Sequence, residues 1–433
     1  MKLAERVPAL AWRIGYVAVV LAATVLDAGL DPELADFAAN LTRAFEPSFT
    51  GRTLVDAVRN VALFAGWGVV WMVTARSIGM RAAVAATLTG IVLSAAVEGI
   101  QLYSFRRTAS VLDVGTNTLG ALLGALVTLV VAMTVRERRT ARSYVGVPML
   151  LFAIGYGGAV LLEAALPLMR QEILSGALGG PFERLQHALL LLDEGSWRVF
   201  STLDLLLFAP AGFFVVAAFA EHRRGYRSAA IIVTVAGALA MFAAEFARGL
   251  VGYRLAWGPP ITHALAISAG AWLTARVLPA ATRNLRGADR PLALHLSYIF
   301  LLLCWGWRPL VFHADLEGFR ADIAPERFVP LLDWRDRVDL FTAADALVPA
   351  LLFLPLGCLL AVWPLRRTGP ARDLWPAIML AVVIEVGQIA LADRLFGITD
   401  VLTACAGAGL GFLLVRRAGY RPYGRALGSL RSG

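Results

Sequence analysis

Long apolar stretches follow one another along the whole chain, and few folds can accommodate them. Examples are Val17–Leu26 (extended on both sides), Ala82–Val97, Leu119–Val135, Ile231–Ala244, Leu292–Trp305 and Leu374–Leu391. A helix that spans a bilayer needs about 20 mostly apolar residues. Composition agrees, since 58% of the 433 residues are hydrophobic and 16% charged, against roughly 25% charged in soluble domains. The expected fold class is all-α, a polytopic transmembrane protein.

The net charge of +9 raises the question of nucleic acid. The cations sit in short clusters between apolar runs: Arg136-Glu137-Arg138-Arg139, His222-Arg223-Arg224, Arg366-Arg367 and Arg416-Arg417. Charge distributed in this way sets membrane topology and does not form a nucleic-acid surface. Lys2 is the only lysine, an arginine bias that points to a GC-rich bacterial genome. Cys304, Cys358 and Cys405 lie inside apolar runs without metal spacing, so neither a disulfide framework nor a metal site is expected. Lys2, Arg6 and the apolar run behind them read as a first, uncleaved helix.

Internal repetition organises the rest. Glu98, Glu245 and Glu385 are followed three residues later by Gln101, Arg248 and Gln388, and six further on by Arg107, Arg254 and Arg394. Asp113 and Asp400 come next, with His263 read as their counterpart in the middle copy; Gly120, Gly270 and Gly407 follow. Ahead of each glutamate stands a second signature: Asn60-x3-Phe64-x-Gly66-x-Gly68, Asp204-x3-Phe208-x-Pro210-x-Gly212 and Pro349-x3-Phe353-x-Pro355-x-Gly357. Two signatures agreeing in order three times predict three units, residues 1–140, 141–288 and 289–433, the middle one divergent.

Each unit reads as four spans: 10–29, 57–75, 80–103 and 111–134; 145–167, 202–220, 228–250 and 259–278; 291–308, 343–363, 374–392 and 399–415. Twelve spans in three parallel repeats follow, with both termini cytoplasmic, because Arg76, Arg81, Arg136–Arg142, Arg223–Arg227, Arg276–Arg290, Arg366–Arg372 and the tail lie on one side. Acidic residues such as Asp31, Glu172 and Asp315 occupy the opposite loops. The long loop after each first span is semi-apolar, and Phe182–Leu192 and Phe328–Leu332 suggest short helices in the outer interface.

In this topology Glu98 and Gln101 share a helix face near the outer membrane surface, and Asp113 and Asn117 share another. Gly120-x3-Gly124 and Gly407-x3-Gly411 allow close helix approach. Ionisable groups at membrane depth are costly unless paired or hydrated. An acid, an arginine and a second acid at one corner therefore read either as an ion-pair network pinning a hairpin or as a pocket for a polar headgroup. Asn60, Glu98, Gln101, Arg107, Asp113, Asn117, Glu245, Arg248, Arg254, His263, Glu385, Gln388, Arg394 and Asp400 are the candidate residues.

The order Asn-x3-Phe-x-Pro-x-Gly, Glu-x2-Gln, Arg, then Asp-x3-Asn-x2-Gly-x3-Gly resembles the VanZ-like family. Copy one carries Gly66 in place of the proline and keeps the rest through Gly124. Copy three carries Ala404 in place of the asparagine. In copy two Arg248, His263, Ile267 and Thr274 are read as replacing the glutamine, aspartate, asparagine and last glycine. The family is named for a protein associated with low-level teicoplanin resistance, so the resemblance implies work at the cell envelope, in the cytoplasmic membrane, and no particular reaction.

Three function classes stay open. Binding of an envelope lipid or a glycan-linked intermediate at the outer face fits the corners best. An enzyme would use the paired carboxylates as acid and base with arginine on a phosphate, yet no nucleophile motif, phosphate-binding loop or cofactor signature is present, and His187, His222, His263, His295 and His313 lack mutual ligand spacing. A carrier would suit the repeats, but the charges cluster at the rim. The expected partner is the bilayer itself, with a lipid-linked intermediate beside it.

Overall fold

The computed structural model describes residues 6–25, 37–45, 51–105, 109–137, 148–166, 181–190, 202–221, 225–251, 253–284, 289–308, 310–312, 328–330, 340–362, 370–391, 394 and 396–417. Among these the secondary structure is helical, with no strand. The chain divides into two compact units, Met1–Arg136 with Leu331–Ala343, and Glu137–Pro330 with Ala344–Gly433.

In the first unit α1 (Arg6–Val25) packs against α3 (Gly51–Thr74) and α4 (Met80–Gln101), with α2 (Phe37–Ala44) lying between α1 and α3 in sequence and α5 (Val111–Glu137) closing the set. Val20, Phe64, Trp67, Val97 and Ala121 form one buried cluster, and Met72, Ile78, Ala83, Ala86, Ala125, Leu129 and Ala132 another. The backbones of α3 and α5 nearly touch. A Cβ placed on Gly68 would strike the Ala121 carbonyl, and one on Gly124 the Ala65 carbonyl. Small residues are what permit such contact in lipid, where packing rather than water exclusion drives helix association. The Nδ2 of Asn40 donates to the carbonyls of Leu102 and Ser104, tying α2 to the end of α4.

The second unit holds α6 (Met149–Ala165), α7 (Pro181–Leu190), α8 (Thr202–Glu221), α9 (Tyr226–Val251), α10 (Gly258–Asn284), α11 (Asp289–Trp307), α12 (Leu340–Val362, from Ala344 on), α13 (Pro370–Gln388) and α14 (Ile398–Arg417). Helix α6 is its hub. Phe152 and Tyr156 join Phe214, Tyr298 and Trp305 in a ring cluster with centroids 5.2 to 6.2 Å apart. Its Gly155 backs onto the Leu351 carbonyl and the Pro355 ring of α12. Pro355 has no N–H to offer that carbonyl, so the helix is opened where α6 lies against it. The short helix expected at 182–192 is α7, whose Leu185 and Ala188 pack with Leu255. Of the stretch expected at 328–332, the described residues 328–330 form only a tight turn.

Among the described residues, six helices are long and apolar enough to cross a membrane: α4, α5, α8, α9, α10 and α14. Shorter apolar stretches lie on α1, α3, α6, α11 and α12. Helix α13 meets neither description, because Arg372, Asp373 and Glu385 interrupt it. Along α4, Met80, Val84, Leu88 and Val92 recur every fourth residue and are 51 to 68% exposed. Ile231, Val235 and Leu239 do the same on α9. An apolar stripe of that length suits lipid and would be a liability in water.

Candidate functional site

Glu98 is buried at the end of α4, and its Oε2 accepts the backbone N–H of Ser110 at 2.8 Å. One turn on, Gln101 donates Nε2 to the Thr24 carbonyl of α1 at 3.0 Å. The shared face predicted for this pair therefore serves two neighbours: the acid holds the loop into α5, and the amide holds α1. Asp113 and Asn117 also divide. Asp113 Oδ1 accepts from Asn60 Nδ2 on α3 at 2.8 Å, whereas Asn117 donates to Ser94 Oγ on α4 at 2.9 Å. Arg107 lies outside the described residues.

The same clamp appears twice in the second unit. Glu245 accepts the Ala256 N–H at 2.8 Å, and Glu385 accepts the Gly397 N–H at 3.2 Å. Gln388 donates to the Gly306 carbonyl at 3.2 Å, as Gln101 does to Thr24. Arg248, which stands where those glutamines do, turns back and donates Nη1 to Glu245 at 3.0 Å. Arg254 is exposed on the loop between α9 and α10.

The position assigned to His263 needs correcting. A Cβ on Gly270 would strike the Ala209 carbonyl, in the way that Gly124 meets Ala65 and Gly411 meets Leu354. Gly212 meets Ile267, as Gly68 meets Ala121 and Gly357 meets Ala408. Counted from these contacts, Gly270 matches the second glycine of the pair and not the first. His263 then falls at the position of Asn117 and Ala404, Pro259 at that of Asp113 and Asp400, and Ala266 at that of Gly120 and Gly407. The connection after Glu245 is one residue shorter, which is why its acid reaches a backbone amide eleven residues on, not twelve. His263 stacks flat on Phe208, 3.7 Å between centroids, with Nε2 3.7 Å from Asp204 Oδ2.

Residues outside the sequence motifs complete the corners. Tyr16, Tyr156 and Tyr298, on the first helix of each segment, donate their hydroxyls to the carbonyls of Leu63, Leu207 and Leu352 at 2.6 to 2.7 Å. Each acceptor directly precedes the phenylalanine of the Asn/Asp/Pro-x3-Phe signature. The number of residues from tyrosine to signature changes from copy to copy, so a fixed-spacing search passes over it.

Arg394 ends in a different arrangement. Its Nε donates to the Arg308 carbonyl at 3.0 Å. Arg308 itself lies over the Trp305 ring at 4.5 Å, with Nη2 2.5 Å from Glu163 Oε1 on α6. Burial, and then the neighbouring Arg308, lower the Arg394 guanidinium to about 10, against the opposing pull of Glu163, Glu385 and Asp400. It is charged at neutral pH. Glu163 and Arg308 carry no repeated signature and were not visible as site residues in the sequence.

Apolar helices with exposed stripes, joined at their ends by buried acid and amide clamps, define a helical membrane protein. A family model for VanZ/LLP1 matches residues 16–132 and 296–419, more than half of the chain, and the chain belongs to that family. The two matched segments establish an internal repeat of VanZ-like units. No curated protein and no solved structure matches the chain.

Proposed function

We propose that the chain is a twelve-span VanZ-type protein of the cytoplasmic membrane, with both termini inside and residues 141–288 forming a third, diverged unit. Support for the third unit comes from its contacts: the Tyr156–Leu207 hydrogen bond, the Glu245–Ala256 clamp and the Gly270–Ala209 approach repeat those of the two matched segments. Support for the orientation comes from the arginine-rich loops on one side of the predicted spans.

The polar corners at the outer face bind the headgroup of an envelope lipid or of a lipid-linked glycan intermediate. One observation carries this reading. Most candidate acids and amides are engaged in holding helices together, but at the third corner Arg394 Nη2 is buried with no hydrogen-bond partner. A buried guanidinium donor left unmade costs free energy, and in a membrane protein a lipid headgroup is the partner at hand.

Mass spectrometry of lipids retained by the full-length protein after delipidation tests it, with Arg394→Gln compared against Arg81→Gln, an exposed arginine outside the corners. A lipid species retained by wild type and by Arg81→Gln but lost from Arg394→Gln, at equal protein abundance, is the expected result. A wild-type protein that emerges free of any specific lipid would contradict the reading. Deletion strains assayed for glycopeptide susceptibility extend the test to the envelope.

A further inference from the structure

The corner around Arg394 is composite. Glu163 comes from α6, Arg308 from the end of α11, and Arg394 from the loop between α13 and α14. Glu163 and Arg308 are 6% and 5% exposed. Counting from the bonded tyrosines, the positions of Glu163 and Arg308 are filled elsewhere by Ala23 and Trp305, and by Leu26 and Leu166. The pair is therefore peculiar to this one corner of the chain.

Besides Arg308 Nη2, which is ion-paired with Glu163 Oε1, three buried atoms there have no hydrogen-bond partner: Arg308 Nε, Arg394 Nη2 and Glu163 Oε2. Two are cationic donors and one is an anionic acceptor. They belong to one neighbourhood, since Glu163 Oε1 touches Arg308, and the Arg308 carbonyl accepts from Arg394. Trp305 covers one face of the Arg308 guanidinium. The acids around Arg394 are Glu163, Glu385 and Asp400, against the two bases Arg308 and Arg394.

That inventory selects a ligand. A simple anion would satisfy the guanidinium donors but leave Glu163 Oε2 unmet. A simple cation would do the reverse. From these atoms, and resting on the headgroup reading above, we infer that this corner holds a zwitterionic phosphoamine headgroup. Its phosphate lies on the Arg308 and Arg394 donors, and its protonated amine donates to Glu163. Guanidinium forks match phosphate oxygens, and a primary ammonium supplies N–H donors that a quaternary ammonium lacks.

The test compares lipids of equal chain length added to the delipidated full-length protein and measured by native mass spectrometry. Phosphatidylethanolamine should be retained about tenfold or more over phosphatidylcholine and phosphatidylglycerol, the scale of one charge-assisted hydrogen bond. Glu163→Gln should abolish the preference over phosphatidylcholine. Should that variant fail to fold, wild-type melting with soluble headgroups decides. Glycerophosphoethanolamine should raise Tm, while inorganic phosphate, glycerophosphoglycerol and ethanolamine should not. If phosphatidylglycerol or phosphate serves as well, the zwitterion is wrong and the headgroup reading stands. If no lipid is retained and no headgroup shifts the melt, water fills the corner and both readings fall.

Discussion

The hydroxyl of Tyr298 donates to the carbonyl of Leu352 at 2.6 Å, three residues ahead of Pro355 in the same helix. It thus fastens α11 to α12 beside a turn that proline has already deprived of one backbone donor. Tyr298→Phe should keep the ring cluster and lose only this bond, lowering stability by about 1 kcal/mol. Thermal unfolding of the purified protein reads the loss, and Tyr103→Phe on an exposed ring should leave Tm where it was.

Gly124 and Gly115 sit on the same helix in opposite circumstances. A Cβ at Gly124 meets the Ala65 backbone, while one at Gly115 meets nothing. Gly124→Ala must force α3 and α5 apart and should reduce the folded, monodisperse fraction several-fold, with overpacking costing about 1–3 kcal/mol. Gly115→Ala should be neutral or stabilising by up to about 1 kcal/mol from helix propensity. Fluorescence-detected size exclusion separates the two outcomes.

Glu98 acts through an acceptor oxygen on the Ser110 amide. Glutamine retains such an oxygen and alanine does not. Glu98→Gln should therefore accumulate near the wild-type level, and Glu98→Ala should fall, since a buried N–H without a partner costs about 1–3 kcal/mol. Quantitative immunoblotting of membranes distinguishes them. Equal loss in both variants would show that the negative charge matters as well.

The corrected register at His263 makes its own prediction. The residue faces Asp204 and stands at the position held by Asn117. His263→Asn should fold, losing the contact with Asp204 and the stacking on Phe208, the latter worth about 0.5–1.5 kcal/mol. His263→Asp places two carboxylates together at low dielectric, and like charges there are destabilising. Its melting temperature should be the lower of the two. The reverse order would restore the aspartate alignment.

Much of this was legible in the chain. Apolar length gave the helices, and the glycines of Gly-x3-Gly marked where α5 and α14 approach α3 and α12. Glu98, Glu245 and Glu385 stood out because a carboxylate within an apolar run needs a reason. What the sequence does not mark comes from distant helices. Tyr16, Tyr156 and Tyr298 reach their acceptors across loops of unequal length, so no period reveals them. Glu163 and Arg308 occur once, so repetition does not mark them. His263 was misplaced because a one-residue deletion is invisible when both candidate positions tolerate a polar side chain; only the carbonyl facing Gly270 decides between them.

Glu163 has a consequence for how this chain can be divided. Sequence duplication suggests modules that could be shortened or expressed alone, yet a fragment beginning at α11 would expose Arg308 to lipid without its counter-ion. Removing one partner from such a buried pair costs about 3–5 kcal/mol, enough to abolish a marginal fold. The helices from α6 to α14 behave, for purposes of evolution and engineering, as an indivisible piece.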